Sequence, residues 1–194
     1  MRIISGIYKN RLINTPKGMH TRPTSNKLRG SFFNICQHYT EGALFLDLFA
    51  GSGAVGLEAL SRGAKKVVFV DSNRECAKCI KDNLLLLDIQ EGAEVICNDV
   101  FKALEYIKKK GLSFDIIYAD PPYEKMENFD GMPGTLSLKI LQIIDESDFL
   151  REKGMLFVED TSRVLSQVKD FKSLELVSYR EMGKSALIQL KRVS

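Results

Sequence analysis

No acidic side chain occurs before Glu41, whereas seven basic ones do: Arg2, Lys9, Arg11, Lys17, Arg22, Lys27 and Arg29. The remaining 154 residues carry 21 basic and 25 acidic side chains, so the net charge of +3 is a basic segment on a slightly acidic body. That asymmetry implies a local contact with a polyanion. Long apolar runs are missing too, and none approaches the length that crosses a bilayer. Between Arg2 and Ser5-Gly6 stand only Ile3 and Ile4, too few for the apolar core of a secretion signal. A cytoplasmic protein without a membrane contact is expected. Potential metal ligands are sparse: Cys36, Cys76, Cys79, Cys97, His20 and His38. Only Cys76-Ala-Lys-Cys79 has suggestive spacing, and a zinc site needs a second pair of ligands. No metal is expected, and the two cysteines read as small helix residues kept reduced. Neither an internal repeat nor a low-complexity segment occurs.

What is present suits one domain with a single core: 194 residues, 44% hydrophobic and 27% charged. Residues 2–15 pair short β-prone pieces around Lys9-Asn10, a hairpin pattern that Pro16-Lys17-Gly18 ends. Residues 24–39 read as a helix capped by Thr24 or Ser25, with one apolar stripe of Leu28, Phe32, Ile35, Cys36 and Tyr39. Strand-like runs follow at 44–49, 67–71, 94–97, 114–119, 155–159, 174–179 and 186–190. Helical stretches lie at about 53–62, 73–88, 100–110, 135–146 and 162–169, with Gly63 and Gly111 placed as stops. Alternating strand and helix predicts an α/β, Rossmann-like doubly wound sheet. Only Glu181-Met182-Gly183-Lys184 separates the last two strands, too short a gap for a helical crossover, so they should be antiparallel. Residues 124–134, with Gly131, Pro133 and Gly134, read as a long irregular loop. The expected organisation is a basic hairpin and helix over 1–40 and a catalytic domain over 41–194.

Leu46-Asp47-Leu48-Phe49-Ala50-Gly51-Ser52-Gly53-Ala54-Val55-Gly56 is a strand, a glycine turn and a helix start. Glycines let the backbone pass close to a ligand, and the helix offers free N–H groups. Asp71 ends the next strand, where a carboxylate can accept both hydroxyls of a ribose. The turn also fits the dinucleotide pattern G-x-G-x-x-G, so by itself it specifies an adenosine-containing cofactor and not which one. Asp47 at the mouth would repel a pyrophosphate and suit the sulfonium and ammonium of S-adenosylmethionine. Asn98-Asp99 closes the third strand and either accepts from an adenine amino group or caps the helix from Val100, or does both. Candidate cofactor residues are therefore Asp47, Phe49, Gly51, Ser52, Gly53, Asp71, Ser72, Asn98, Asp99 and Val100.

The fourth strand delivers Asp120-Pro121-Pro122-Tyr123 to the same sheet edge. Two prolines stiffen the turn and leave its carbonyls pointing outward. A carboxylate and a rigid carbonyl can accept both hydrogens of an –NH2 group. That draws the nitrogen toward tetrahedral geometry and localises a lone pair otherwise delocalised into an aromatic ring. Asp120 can also take the released proton, and Tyr123 offers a face for base stacking.

Asp47 to Gly53 together with Asp120 to Tyr123 resembles the class I amino-methyltransferases, which act on DNA adenine N6 or rRNA guanine N2. The chain is most similar to the bacterial small-subunit (16S) rRNA guanine-N2-methyltransferase family. Thr21-Arg22-Pro23-Thr24, Arg29, Phe33-Asn34-Ile35 and Leu57 to Ala64 carry that similarity, which runs from Arg2 to the last strand. The resemblance implies a seven-stranded sheet of order 3-2-1-4-5-7-6 with its last strand antiparallel. It implies S-adenosylmethionine held by Gly51, Gly53, Asp71 and Asp99, and the target amine held by Asp120 to Tyr123. The implied partner is 16S rRNA or an assembling small subunit, met by Arg2, Lys9, Arg11, Lys17, Arg22, Thr24 and Arg29. Arg22 suits either a cofactor carboxylate or a phosphate. Where the family shows a Tyr-Gly-Asp-Thr-like run, this chain has Met182-Gly183-Lys184-Ser185 and keeps only the glycine. Three other functions compete. A DNA adenine-N6 methyltransferase shares both motifs but usually carries an extra recognition region. A non-catalytic RNA-binding assembly protein leaves the Asp-Pro-Pro-Tyr acceptors without a use. An NAD oxidoreductase leaves the same motif unexplained. A monomer is expected.

Overall fold

The computed structural model describes residues 1–16, 26–122, 126–129, 132–160, 171–182 and 185–193. Two compact units divide after residue 112, Met1–Leu112 and Ser113–Ser194, so the basic segment belongs to the first. Seven strands form one sheet of order β3-β2-β1-β4-β7-β9-β8: β1 (Leu44–Leu48), β2 (Lys66–Asp71), β3 (Ala93–Cys97), β4 (Phe114–Ala119), β7 (Leu150–Asp160), β8 (Leu174–Met182) and β9 (Ser185–Arg192). Counted along these seven strands the order is 3-2-1-4-5-7-6, as expected.

In the first unit, β1 pairs parallel with β2 and β2 with β3. Phe45, Leu46, Leu48 and Val67 to Val70 are all buried. Near-continuous apolar strands of this kind belong to a parallel sheet covered on both faces. The helices are α1 (Asn26–Thr40), α2 (Ala54–Ser61), α3 (Arg74–Leu86) and α4 (Val100–Lys109). Asn73 caps α3 by accepting from Glu75 N at 2.7 Å, and Asp99 caps α4 by accepting from Phe101 N at 3.0 Å. Gly63 and Gly111, at φ +92° and +62°, end α2 and α4. The buried stripe of α1 is Leu28, Phe32, Phe33 and Cys36, whereas Tyr39 is 52% exposed. The stripe is thus turned toward Phe33, which meets Phe32 edge to face at 4.6 Å.

Residues 1–16 fold back through a single antiparallel bridge, Arg2 to Leu12. Ile3 N donates to Arg11 O at 3.0 Å and Ile13 N to Met1 O at 2.9 Å. The reversal is wider than a two-residue turn at Lys9-Asn10. It includes Gly6 and Asn10, both left-handed at φ +84° and +68°.

In the second unit, β4 pairs parallel with β7, and β9 runs antiparallel to both β7 and β8. Residues 124–134 are not wholly irregular: β5 (Met126–Phe129) and β6 (Met132–Thr135) form an antiparallel hairpin. Helix α5 (Leu136–Asp145) follows directly, capped by Thr135 Oγ1 accepting from Leu138 N at 3.2 Å. Strand β7 starts earlier than the apolar run at 155–159. An irregularity in its pairing with β4 lets it reach back to Leu150. The helix expected at 162–169 lies outside the described residues.

Candidate active site

The turn after β1 has an unusual backbone. Phe49, Gly51 and Gly53 are left-handed, at φ +59°, +57° and +75°. Phe49 is not a glycine, so its conformation costs about 1–2 kcal/mol, the kind of strain that collects at ligand sites. The three glycines have different jobs. A Cβ on Gly53 would lie 2.9 Å from Ile80 Cγ1, and one on Gly56 2.2 Å from Phe69 Cε1. Gly56 permits close packing of α2 on β2, and Gly53 lets the turn approach Ile80 of α3. Among the described residues, a Cβ on Gly51 would meet nothing nearer than Phe49 O at 4.0 Å. Its absent side chain leaves open space beside the turn.

Two carboxylates brace this turn, in different ways. Asp71, half-buried at the end of β2, accepts from Gly51 N at 2.8 Å through Oδ2 and from Asn73 N at 2.8 Å through Oδ1. It is fixed at the glycine turn by these two bonds. Asp47 departs from its expected role as a partner for the cofactor's positive charges. It is 1% exposed, and its carboxylate accepts from Gly56 N at 2.9 Å. Burial under the turn makes it a strut between β1 and α2. Asn98 N donates to Asp71 O at 3.1 Å, which joins the ends of β2 and β3. Asp99 is exposed beside it. Oδ1 takes the two cap bonds, from Phe101 N and Lys102 N, and Asp99 N donates to Asn98 Oδ1 at 2.9 Å. Among the remaining cofactor candidates, Phe49 and Ser52 are half-buried, Ser72 and Asn98 exposed and Val100 buried.

Sequence reasoning missed Asn83, a fully buried amide on α3. Its Oδ1 accepts from Asn14 N at 2.7 Å, and its Nδ2 donates to Asn14 O and to Ser52 O, each at 3.1 Å. One side chain thus holds both the N-terminal arm and the glycine turn. A polar residue on the apolar face of a helix was the signal. Cys76 and Cys79 are buried on the same helix. Burial first, and then the adjacent Asp71 carboxylate, push the Cys76 thiol up to about 12. Burial likewise raises Cys79 and lifts Cys36 to about 11. Raised and buried thiols of this kind are poor nucleophiles. Among the described residues, no group of three or more His, Cys, Asp or Glu side chains could hold a metal. No described helix is long and apolar enough to cross a membrane.

The N-terminal arm is pinned to α2. Glu58, fully buried, accepts from Ile4 N at 2.7 Å and Ser5 N at 2.9 Å. Ser61 Oγ accepts from Tyr8 N at 3.0 Å. A Cβ on Gly6 would lie 1.8 Å from Ser61 O, so only glycine fits there. Arg2, Lys9 and Arg11 are exposed on this anchored arm. Arg29 corrects the expectation that it meets RNA. It is 0% exposed; its guanidinium donates to Arg2 O and Met1 Sδ and lies 3.8 Å from Glu58. Glu58 supplies the countercharge that holds it inside. Lys17, Arg22 and Thr24 lie outside the described residues.

In the second unit, β4 ends in Ala119 and hands over to Asp120, half-buried, Pro121, buried, and Pro122, exposed. Tyr123 lies outside the described residues. Sequence reasoning also missed Glu159, which accepts a hydrogen bond from the Tyr118 hydroxyl, two residues before Asp120.

Comparison with known proteins identifies the family and the fold. Residues 1–191 match the family model described as Conserved hypothetical protein 95. Bacillus subtilis YlbH is 39% identical over 165 residues, 84% of each chain. Ribosomal RNA small subunit methyltransferase D of Escherichia coli is 30% identical over 159 residues, covering 82% of this chain and 74% of its own. The solved Escherichia coli protein yhhF superposes with a TM-score of 0.80 at 26% identity, over 99% of this chain and 97% of that one. The chain therefore belongs to the Conserved hypothetical protein 95 family, with the fold of the class I S-adenosylmethionine-dependent methyltransferases.

Proposed function

We propose that the protein transfers a methyl group from S-adenosylmethionine to the exocyclic N2 amine of a guanine in 16S rRNA, free or in an assembling small subunit. The observation that carries this reading is the Asp120-Pro121-Pro122 turn at the carboxyl end of β4. Such a turn is suited to an amine and has no evident use in a protein that only binds RNA. The names of the relatives support rRNA as the substrate.

The residues of the first unit fit the cofactor. The open space at Gly51 leaves room for backbone contact. Asp71, held by Gly51 N, has lone pairs for ribose hydroxyls. At Asp99, Oδ2 is the oxygen left for an adenine amino group. The cofactor supplies an electrophilic methyl group on a sulfonium. Asp120 and a carbonyl of the proline turn accept the two amine hydrogens and localise the nitrogen lone pair. The Asp120 carboxylate takes the proton released as the nitrogen gains carbon. Tyr123 stacks on the base, which must leave its helical stack to be reached. Arg2, Lys9, Arg11, Lys17, Arg22 and Thr24 contact the RNA backbone from the arm and the segment after it.

Asp120→Ala tests this assignment. Methyl transfer should fall at least about 100-fold, the scale of losing a preorganised charge partner, while cofactor affinity measured by calorimetry stays near wild type. Near-normal turnover in that variant would sink the mechanism.

A further inference from the structure

Strand β7 ends in two consecutive buried acids, Glu159 at 2% and Asp160 at 4% exposure. A carboxylate taken out of water is costly unless hydrogen bonds replace the lost hydration. The Tyr118 hydroxyl supplies such a bond to Glu159, and Tyr118 is itself 1% exposed. For stability alone, an apolar pair of similar volume would serve as well as a phenol and a buried carboxylate. What the polar pair adds is direction.

Its place in the sheet gives that direction a purpose. In the parallel pairing of β4 with β7, Tyr118 stands opposite Phe157 and Ala119 opposite Val158. Side chains alternate faces along a strand, and laterally paired residues share a face. Tyr118 therefore shares its face with Phe157 and Glu159, and the Tyr118–Glu159 bond crosses diagonally between the strands. The last pair is Ala119 with Val158, and the next residue of each chain is Asp120 and Glu159. The chain leaves β4 at that point through Pro121 and Pro122, neither of which has an N–H to tie the turn to a neighbour. We propose that Glu159, acting through Tyr118, is a positioning residue for Asp120: it locks the end of β4 to β7 directly behind the proline turn. The proposal rests on Asp120 being the amine acceptor. Neither Tyr118 nor Glu159 touches substrate in this scheme.

The test uses the full-length protein with rRNA or small-subunit particles. The wild type is compared with Tyr118→Phe, Glu159→Ala and Glu159→Gln for kcat, KM for RNA, cofactor Kd and melting temperature. A displacement on the order of 1 Å at a reacting group can cost about 100-fold in rate. Tyr118→Phe and Glu159→Ala should therefore lose roughly 10- to 100-fold in kcat. KM and cofactor Kd should stay within about threefold of wild type, because the acceptors of RNA and cofactor are untouched. Glu159→Gln keeps an oxygen that accepts from the Tyr118 hydroxyl, so it should retain kcat within about threefold. A merely structural pair would move the melting temperature and leave this kcat pattern absent. Tyr118→Phe retains the ring and removes only the hydroxyl, so it carries the test even where Glu159→Ala fails to fold. Wild-type kcat in Tyr118→Phe overturns the proposal, as does a loss in Glu159→Gln as deep as in Glu159→Ala. An inactive wild type is a distinct result: it overturns the reading of Asp120 itself, and the proposal with it.

Discussion

Replacing Gly51 and Gly56 by alanine, one at a time, should separate cofactor binding from folding. At Gly51 the backbone is left-handed at φ +57°, yet among the described residues an added Cβ meets nothing nearer than 4.0 Å. The stability cost is then conformational only, about 1 kcal/mol, the low end for an L-residue in this region. For a domain of this size that lowers the melting temperature by about 2–4 °C. The new methyl group stands in the space assigned to the cofactor. An overpacked methyl costs about 1–3 kcal/mol, so Kd for S-adenosylmethionine should weaken by roughly 5- to 150-fold. At Gly56 the same atom would lie 2.2 Å from Phe69 Cε1 and 2.8 Å from Val67 Cγ1, both on fully buried side chains. Overpacking of about 3 kcal/mol is offset by at most about 1 kcal/mol of helix preference. A net loss of about 2 kcal/mol or more should lower melting by about 4 °C or more. The folded fraction should bind cofactor within about threefold of wild type. Thermal melts and titration calorimetry decide the matter. Wild-type affinity in Gly51→Ala would refute the placement of the cofactor at this turn.

Neutralising Arg2, Lys9, Arg11 and Lys17 together should weaken RNA binding and flatten its salt dependence, by about 0.7–0.9 in log–log slope for each phosphate that is no longer neutralised. An unchanged slope would mean that the arm is only solvated. Arg29→Met should leave that slope alone and cost about 3 kcal/mol in stability, because Glu58 stays buried without one of its cations; chemical denaturation reads this directly. Burial alone would raise the Asp145 carboxyl, but hydrogen bonds from Lys172 N, Ser173 N and Ser173 Oγ hold it below its ordinary value. Its stabilisation is therefore complete above the unfolded value near about 4 and is lost as pH falls through the lower folded value. The stability gap between wild type and Asp145→Asn should shrink across that acid window, and a pH-independent gap would contradict this assignment. In a thiol titration of the native protein, Cys97, the exposed cysteine, should react and the three buried ones should stay protected until denaturation. Rapid modification of Cys76 would show that its environment is misread.

Where periodicity and turn chemistry act locally, the sequence announced the fold. Glycines at 63 and 111 stop their helices, Asp99 caps α4, and the short gap before β9 forces an antiparallel return. The β5–β6 hairpin was hidden because Met132-Pro133-Gly134-Thr135 carries a proline and a glycine, which argue against a strand when read alone. Charge misled at Arg29 because its countercharge, Glu58, lies 29 residues further along and is close only in the folded chain. Asp47 misled for a related reason. A carboxylate at a turn can face a ligand or a backbone N–H, and only the helix entry shows that Gly56 N claims it. The placement of the glycine turn, of Asp71 beside it and of the Asp-Pro-Pro run at the end of β4 was legible because each is a short motif between recognisable elements. Glu159 was not, since its partner Tyr118 sits on another strand, 41 residues away.

Transfer of a methyl group to guanine N2 of small-subunit rRNA is tested most directly by one measurement. Labelled S-adenosylmethionine is offered in parallel with unmodified small-subunit particles, naked 16S rRNA and duplex DNA, and the nucleosides are then digested and identified. Label is expected in N2-methylguanosine from rRNA or the particle. Label in N6-methyladenine from DNA would contradict the substrate, and cofactor bound with no label in any nucleic acid would contradict the chemistry.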